Sequence, residues 1–252
     1  MKTFFLAAAC ILLLSSLLVS PVDAQPRTTL GGEPLSRDAA RILMGKFADC
    51  LTEREPKLAR EYVLHYDNQE NDFKKFRAFF SDAYVCFRRS NYHAGSMKLS
   101  RDLLRYLLAE SFVTKEVSLM ASYDFSAVEP LSQPKPDKAK FEKLVAKARG
   151  IEKKKEVAKN WEHAQLDYLL SIFGECTARE NPVDVRHLLS TKLSSDAERL
   201  KFKDLKPALN VCAEKHGGLA FDMMQLRGAI ALNYYRLVER ISMETTSSKG
   251  AN

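Results

Sequence analysis

The chain has 252 residues, a formal charge of +7 and five cysteines. That length supports one substantial core or two smaller ones. The charge does not describe a uniformly basic surface: Lys135 to Lys159 holds ten Lys and Arg against four Asp and Glu, so the remainder is close to neutral.

Residues 1–24 read as a signal peptide. Lys2 supplies the positive start, Phe4 to Val19 is almost wholly apolar, and Val22-Asp23-Ala24 offers small residues for cleavage. The apolar run is short for a membrane span, which needs about 20 residues, so a retained anchor is the weaker alternative. Cys10 sits inside the apolar run, too early for a lipoprotein site. No second long apolar stretch follows, and no transmembrane segment is expected after processing. The expected location is secreted or periplasmic. There, the four remaining cysteines belong in disulfides.

Four cysteines allow three pairings. Cys50 and Cys86 lie 36 positions apart, and so do Cys176 and Cys212. A slide of 126 residues superimposes the two pairs. It also places Phe47 on Phe173, Pro56 on Pro182, Arg60 on Arg186, Phe76 on Phe202 and Arg101 on Arg227. The spacing favours Cys50–Cys86 and Cys176–Cys212, one bridge in each of two tandem repeats. A reactive thiol at Cys86, beside Arg88 and Arg89, is the minor alternative.

In chain order, residues 25–35 read as a flexible leader. Repeat 1 spans 36–121. Ser36 can cap a helix carrying Ala39, Ile42, Leu43, Phe47 and Leu51 at helical spacing. Pro56 ends that helix or opens the next. After a polar break at 67–72, Phe73, Phe76, Phe80, Ala83, Tyr84 and Phe87 form another stripe. His93 to Ser96 is a turn, and Met97 to Val113 a helix. Residues 122–150 read as a linker containing Pro130, Pro134 and Pro136, followed by a basic helix from Lys138 to Arg149 that Gly150 interrupts. Repeat 2 spans 151–243: a long helix to Cys176, Pro182 in the part of Pro56, a break at 194–196, and a stripe to Cys212 bent or split by Pro207. Gly217-Gly218 is a turn before a final helix from Phe221 to Ile241, and 244–252 a disordered tail. No long run alternates with period two. The predicted class is all-α, with three to four helices per repeat.

Chemistry is sparse. Arg101 and Arg227 sit among apolar neighbours, and a buried arginine must be paired. The slide places Asp49 on Glu175, so the expected pairs are Asp49 with Arg101 and Glu175 with Arg227. These would be internal ion pairs or an anion site using the planar guanidinium. His65, His93, His163, His187 and His216 match no catalytic or metal spacing, and there is no C-x-x-C. No metal, cofactor or catalytic residue is expected. Tyr234 and Tyr235, with Met223 and Met224, read as core. Lys138 to Lys159 reads as a solvated helix that could rest on an anionic surface or an acidic partner. Nucleic acid is not expected after export.

The run Leu226-Arg227-Gly228-Ala229-Ile230-Ala231, followed by Tyr234, resembles an L-R-G-A-x-A-x-x-x-Y pattern of uncharacterised exported proteins of α-proteobacteria. The resemblance covers repeat 2; around Leu99-Ser100-Arg101-Asp102 the glycine is missing. It implies export and helical repeats and brings no mechanism. The expected function is a non-enzymatic helical interaction or scaffold protein that binds a protein or envelope component. The alternatives are a carrier of a small apolar or anionic ligand, and a hydrolase with its site assembled across the repeats.

Overall fold

The computed structural model describes residues 29–30, 33–65, 79, 85–87, 100–216 and 221–249. The signal peptide, the polar break at 67–72, most of the Phe-rich stripe and the turns at 93–96 and 217–218 lie outside the described residues. Apart from the two-residue strands β1 (Thr29–Leu30) and β2 (Glu33–Pro34), which pair antiparallel, the regular structure described is helical. The helices are α1 (Arg37–Arg54), α2 (Pro56–His65), α3 (Arg101–Glu116), α4 (Lys138–Lys147), α5 (Ile151–Glu180), α6 (Pro182–Ser190), α7 (Asp196–Asp204), α8 (Lys206–His216) and α9 (Met223–Lys249). Phe79 and residues 85–87 are helical as well. Helix α9 runs through residues expected to form a tail.

Local chemistry sets the helix ends. Ser36, Ser100, Asp137, Asn181 and Ser195 each accept a hydrogen bond from a first-turn backbone N–H. These are the orphan donors of a helix start. Pro56 and Pro182 open α2 and α6, where a missing N–H costs nothing. The Phe202 stripe is split at Leu205, and Pro207 falls in the first turn of α8.

Helix α9 is the axis of the molecule, packed along α5 on one side and α3 on the other, with α1 against α3. Two glycines permit these crossings. A β-carbon on Gly174 would stand 2.5 Å from the Ala229 carbonyl oxygen, and one on Gly228 would stand 2.5 Å from the Tyr106 β-carbon. The glycine of the L-R-G-A run is therefore a helix-contact residue. One continuous apolar core includes Phe47, Tyr62, Phe112, Phe173, Tyr234 and Tyr235. Phe112 stacks on Tyr235 with ring centres 5.2 Å apart.

The bridges are Cys50–Cys86 and Cys176–Cys212, with Cα separations of 5.5 and 5.8 Å. Burial follows the 126-residue offset. Met44 and Leu170, Phe47 and Phe173, Tyr62 and Leu188, Val63 and Leu189, Phe79 and Leu205, and Leu108 and Tyr234 are all buried. Helices α1 and α5 end on offset-matched residues, Arg54 and Glu180, and α3 and α9, which carry Arg101 and Arg227, pack on each other.

The segment expected as a linker is a packed strap. Between α3 and α4 the chain has no helix, yet Phe125, Val128 and Leu131 are buried. Phe125 meets Tyr234 edge-on at 5.4 Å. Its prolines deny it a helix, while its apolar residues still gain from leaving water.

Candidate functional site

Arg227 is 1% exposed and lies at the centre of a buried ionic cluster. Its Nε donates to Glu110 at 2.8 Å, and Nη1 to Glu198 at 3.1 Å and the Thr191 hydroxyl at 2.9 Å. Nη2 reaches Glu110 at 2.6 Å and the carbonyls of Leu189 and Thr191. Glu198 also accepts both terminal nitrogens of Arg41, one at 2.8 Å, and the Ser194 N–H at 2.8 Å. Two arginines and two glutamates thus balance inside the protein, the condition under which buried charge is tolerated.

The burial and pairing of Arg227 follow the expectation, but the partner does not. Glu175 lies next to Gly174, rotated about 100° from it around α5, and faces the strap. It accepts the Leu131 N–H and the Gln133 amide, both at 2.9 Å, and pairs with Arg179 at 2.9 Å. Arg179 then donates to the carbonyls of Phe125, Val128 and Glu129. The Asp49–Arg101 pair is likewise replaced. Asp49 accepts from Ser111 at 2.7 Å and lies 3.9 Å from Lys115. Arg101 opens α3 and is exposed; ten residues separate it from Ser111, about 15 Å along a helix.

The cluster borders a cleft of about 500 Å3, to which Lys46, Asp49, Glu110, Ser111, Thr191 and Lys192 contribute. The cleft is open. The Ser111 hydroxyl is engaged by Asp49 and by Thr52 at 2.8 Å, and no histidine is among the described residues that line the cleft. Among the described residues no group of His, Cys, Asp and Glu is arranged to hold a metal ion. No described helix is long and apolar enough to cross a membrane.

A carboxyl pair joins α3 to α5. Burial first, then the charge and hydrogen bond of Asp102, push Asp167 up to about 7. Burial disfavours the charged form of Asp167, and the neighbouring carboxylate disfavours it further. Burial and these acids also raise Tyr106 well above the usual phenol range. Neither carboxyl lines the large cleft.

Helix α4 and the first half of α5 form an arm. Helix α4 has no buried residue. From Ile151 to Gln165, α5 is exposed except where Val157 and Trp161 turn toward α4. Phe141 stacks on Trp161 at 4.6 Å and holds the two helices together. The arm carries Lys138, Lys140, Lys143, Lys147, Arg149, Lys153, Lys154, Lys155 and Lys159. Lys153–Glu156 and Lys155–Glu152 are exposed pairs, at 2.7 and 3.0 Å, of the kind that holds side chains only weakly.

No protein-family model matches the chain, and neither a curated protein nor a solved structure matches it.

Three residues of the cluster, Arg41, Glu110 and Glu198, were not anticipated. Arg41 had a readable signal, since it shares a helical face with Met44 and Ala48. Glu110 and Glu198 had none, being brought to Arg227 from distant helices.

Proposed function

We propose that the protein is an exported, non-enzymatic helical interaction protein that holds a basic arm away from a disulfide-braced body. The observation that carries this is a contrast in how charge is used. In the body, Arg41, Arg60, Arg179 and Arg227 are committed to internal partners. In the arm, cations outnumber acids and face solvent. A cation surplus maintained on a projecting helix pair is suited to recognition.

Export is supported by the apolar N-terminal run and by two bridges in a chain with four cysteines after residue 24. A duplicated ancestral unit is supported by the matched burial at offset 126 and by the packing of α3 on α9, each the other's counterpart. The partner is a protein or envelope component met by the arm. The carrier alternative has one observation in its favour, the cleft of about 500 Å3 with Lys46 and Lys192 among its lining residues; that volume suits a small anionic ligand.

Site-specific photocrosslinking tests the proposal. A photoreactive residue at Leu144 on the arm, compared with one at Leu200 on the body, should give adducts from the arm; both positions are exposed. Adducts from the body alone overturn it, and a small molecule released from the purified protein on unfolding supports the carrier instead.

A further inference from the structure

We propose that the tip of the basic arm docks onto an anionic lipid bilayer, with Ile151 entering the headgroup layer. This deepens the interaction function by naming what the arm meets. The tip is the turn between α4 and α5. Between residues 147 and 155 it carries Lys147, Arg149, Lys153, Lys154 and Lys155 against Glu152 alone. Among the described residues no carboxylate pairs with Lys147, Arg149 or Lys154. Between these cations in the chain Ile151 is 73% exposed, and Leu144, in the last turn of α4, is 48% exposed. An exposed apolar side chain flanked in sequence by cations gains by leaving water. It matches an anionic interface, where cations reach headgroups and the alkyl group reaches the acyl boundary.

Shape separates a bilayer from an acidic protein. The tip is an exposed turn between two helices, whereas peptide and protein partners are held in grooves or across broad patches. The charge type agrees: of the five tip cations four are lysines, compact charges suited to a diffuse array of headgroups, whereas carboxylates are recognised through the planar fork of arginine. Position agrees as well. The exposed part of α5, residues 151–165, is about 22 Å long, more than two Debye lengths at physiological salt, one of which is about 8 Å. Acids of α5 beyond that stretch therefore do little to offset the tip charge. The Phe141–Trp161 stack and the cap from Asp137 keep the arm helical without any core beneath it.

Vesicle co-sedimentation of the chain beginning at Gln25 tests this. The expected result is binding to phosphatidylcholine vesicles with one part in three phosphatidylglycerol, and none to phosphatidylcholine alone. Each tip cation removed should weaken binding about fivefold, and the triple reversal of Lys153, Lys154 and Lys155 to Glu by more than about a hundredfold. Ile151→Ser should weaken it several-fold and Ile151→Trp strengthen it. The thermal melt of every variant should match the parent, since the substituted tip residues are exposed and bury nothing among the described residues. Equal binding to neutral and anionic vesicles, full binding by both the triple variant and Ile151→Ser, or displacement by inorganic phosphate overturns the lipid assignment. A chain that ignores anionic vesicles yet crosslinks to a protein through Leu144 overturns the lipid assignment and leaves the interaction function standing.

Discussion

Glu198 and Arg227 meet at 3.1 Å with 1% of either side chain exposed. Helix α7, the loop before it and α9 are joined at this point, and Arg41 ties α1 to the same carboxylate. Removing the carboxylate charge leaves Arg227 with Glu110 as its remaining acid and takes from Arg41 the carboxylate it is paired with. Glu198→Gln should therefore cost about 3–5 kcal/mol. Glu198→Gln with Arg227→Gln should cost less than the sum of the single changes by at least about 1 kcal/mol. Urea unfolding of the four proteins in the cycle measures both.

Gly228→Ala tests the crossing of α9 and α3. In an exposed helix the change gains about 1 kcal/mol. Here the added carbon would lie 2.5 Å from Tyr106, and the sign should reverse to a loss of about 1–3 kcal/mol. A melting temperature above that of the parent would show that the helices can separate at no cost.

The Asp102–Asp167 pair predicts a pH dependence. Asp167 is raised to about 7 in the folded chain, against about 3.9 unfolded. Between these values the folded state binds more protons, so the protonated carboxyl stabilises at low pH. That contribution is lost as pH rises through about 7. Stability attributable to this site should fall by roughly 2 kcal/mol between pH 5 and 8. Asp167→Asn, which mimics the protonated acid, should flatten the profile. Urea midpoints measured across that range decide it.

Glu175 anchors the strap through Leu131, Gln133 and Arg179. Glu175→Ala leaves a buried backbone N–H without its acceptor, a loss of about 1–3 kcal/mol. The effect should be local. Hydrogen exchange should quicken between residues 123 and 133 while α3 and α9 keep their protection.

Each bridge closes the same span of chain and should contribute about 3–4 kcal/mol by restricting the unfolded state. Non-reducing peptide mapping should return Cys50 with Cys86 and Cys176 with Cys212. Replacing either pair by serine should lower the melting temperature, and the two losses should be of similar size.

Much of the fold was legible because its signals are local. Ser36 before an apolar stripe, Pro56 and Pro182 at helix starts, and the stripes themselves act over one or two turns. The candidate site was less legible. Arg227 announced that it needed a partner, since a charge on an apolar face cannot stand alone. Nothing announced Glu110, which is 117 residues away. The offset of 126 points to Glu175 only if matched positions share partners. The strap took Glu175 instead, and it did so because its prolines force an extended path over α5 that leaves backbone donors seeking an acceptor.

The sequence by itself determined the helical class, the positions of most helix ends, the concentration of positive charge in one segment, and the spacing from which the cysteine pairing was read. All of these follow from neighbours along the chain, whose geometry is set by backbone dihedrals and helical period. Tertiary structure alone decided which acids neutralise Arg227, that the proline-containing segment is a packed strap, and that the basic helix projects as an arm. Those outcomes depend on which faces of distant helices meet. Short-range propensity does not choose among such arrangements; the shared core and the need to pair every buried charge do.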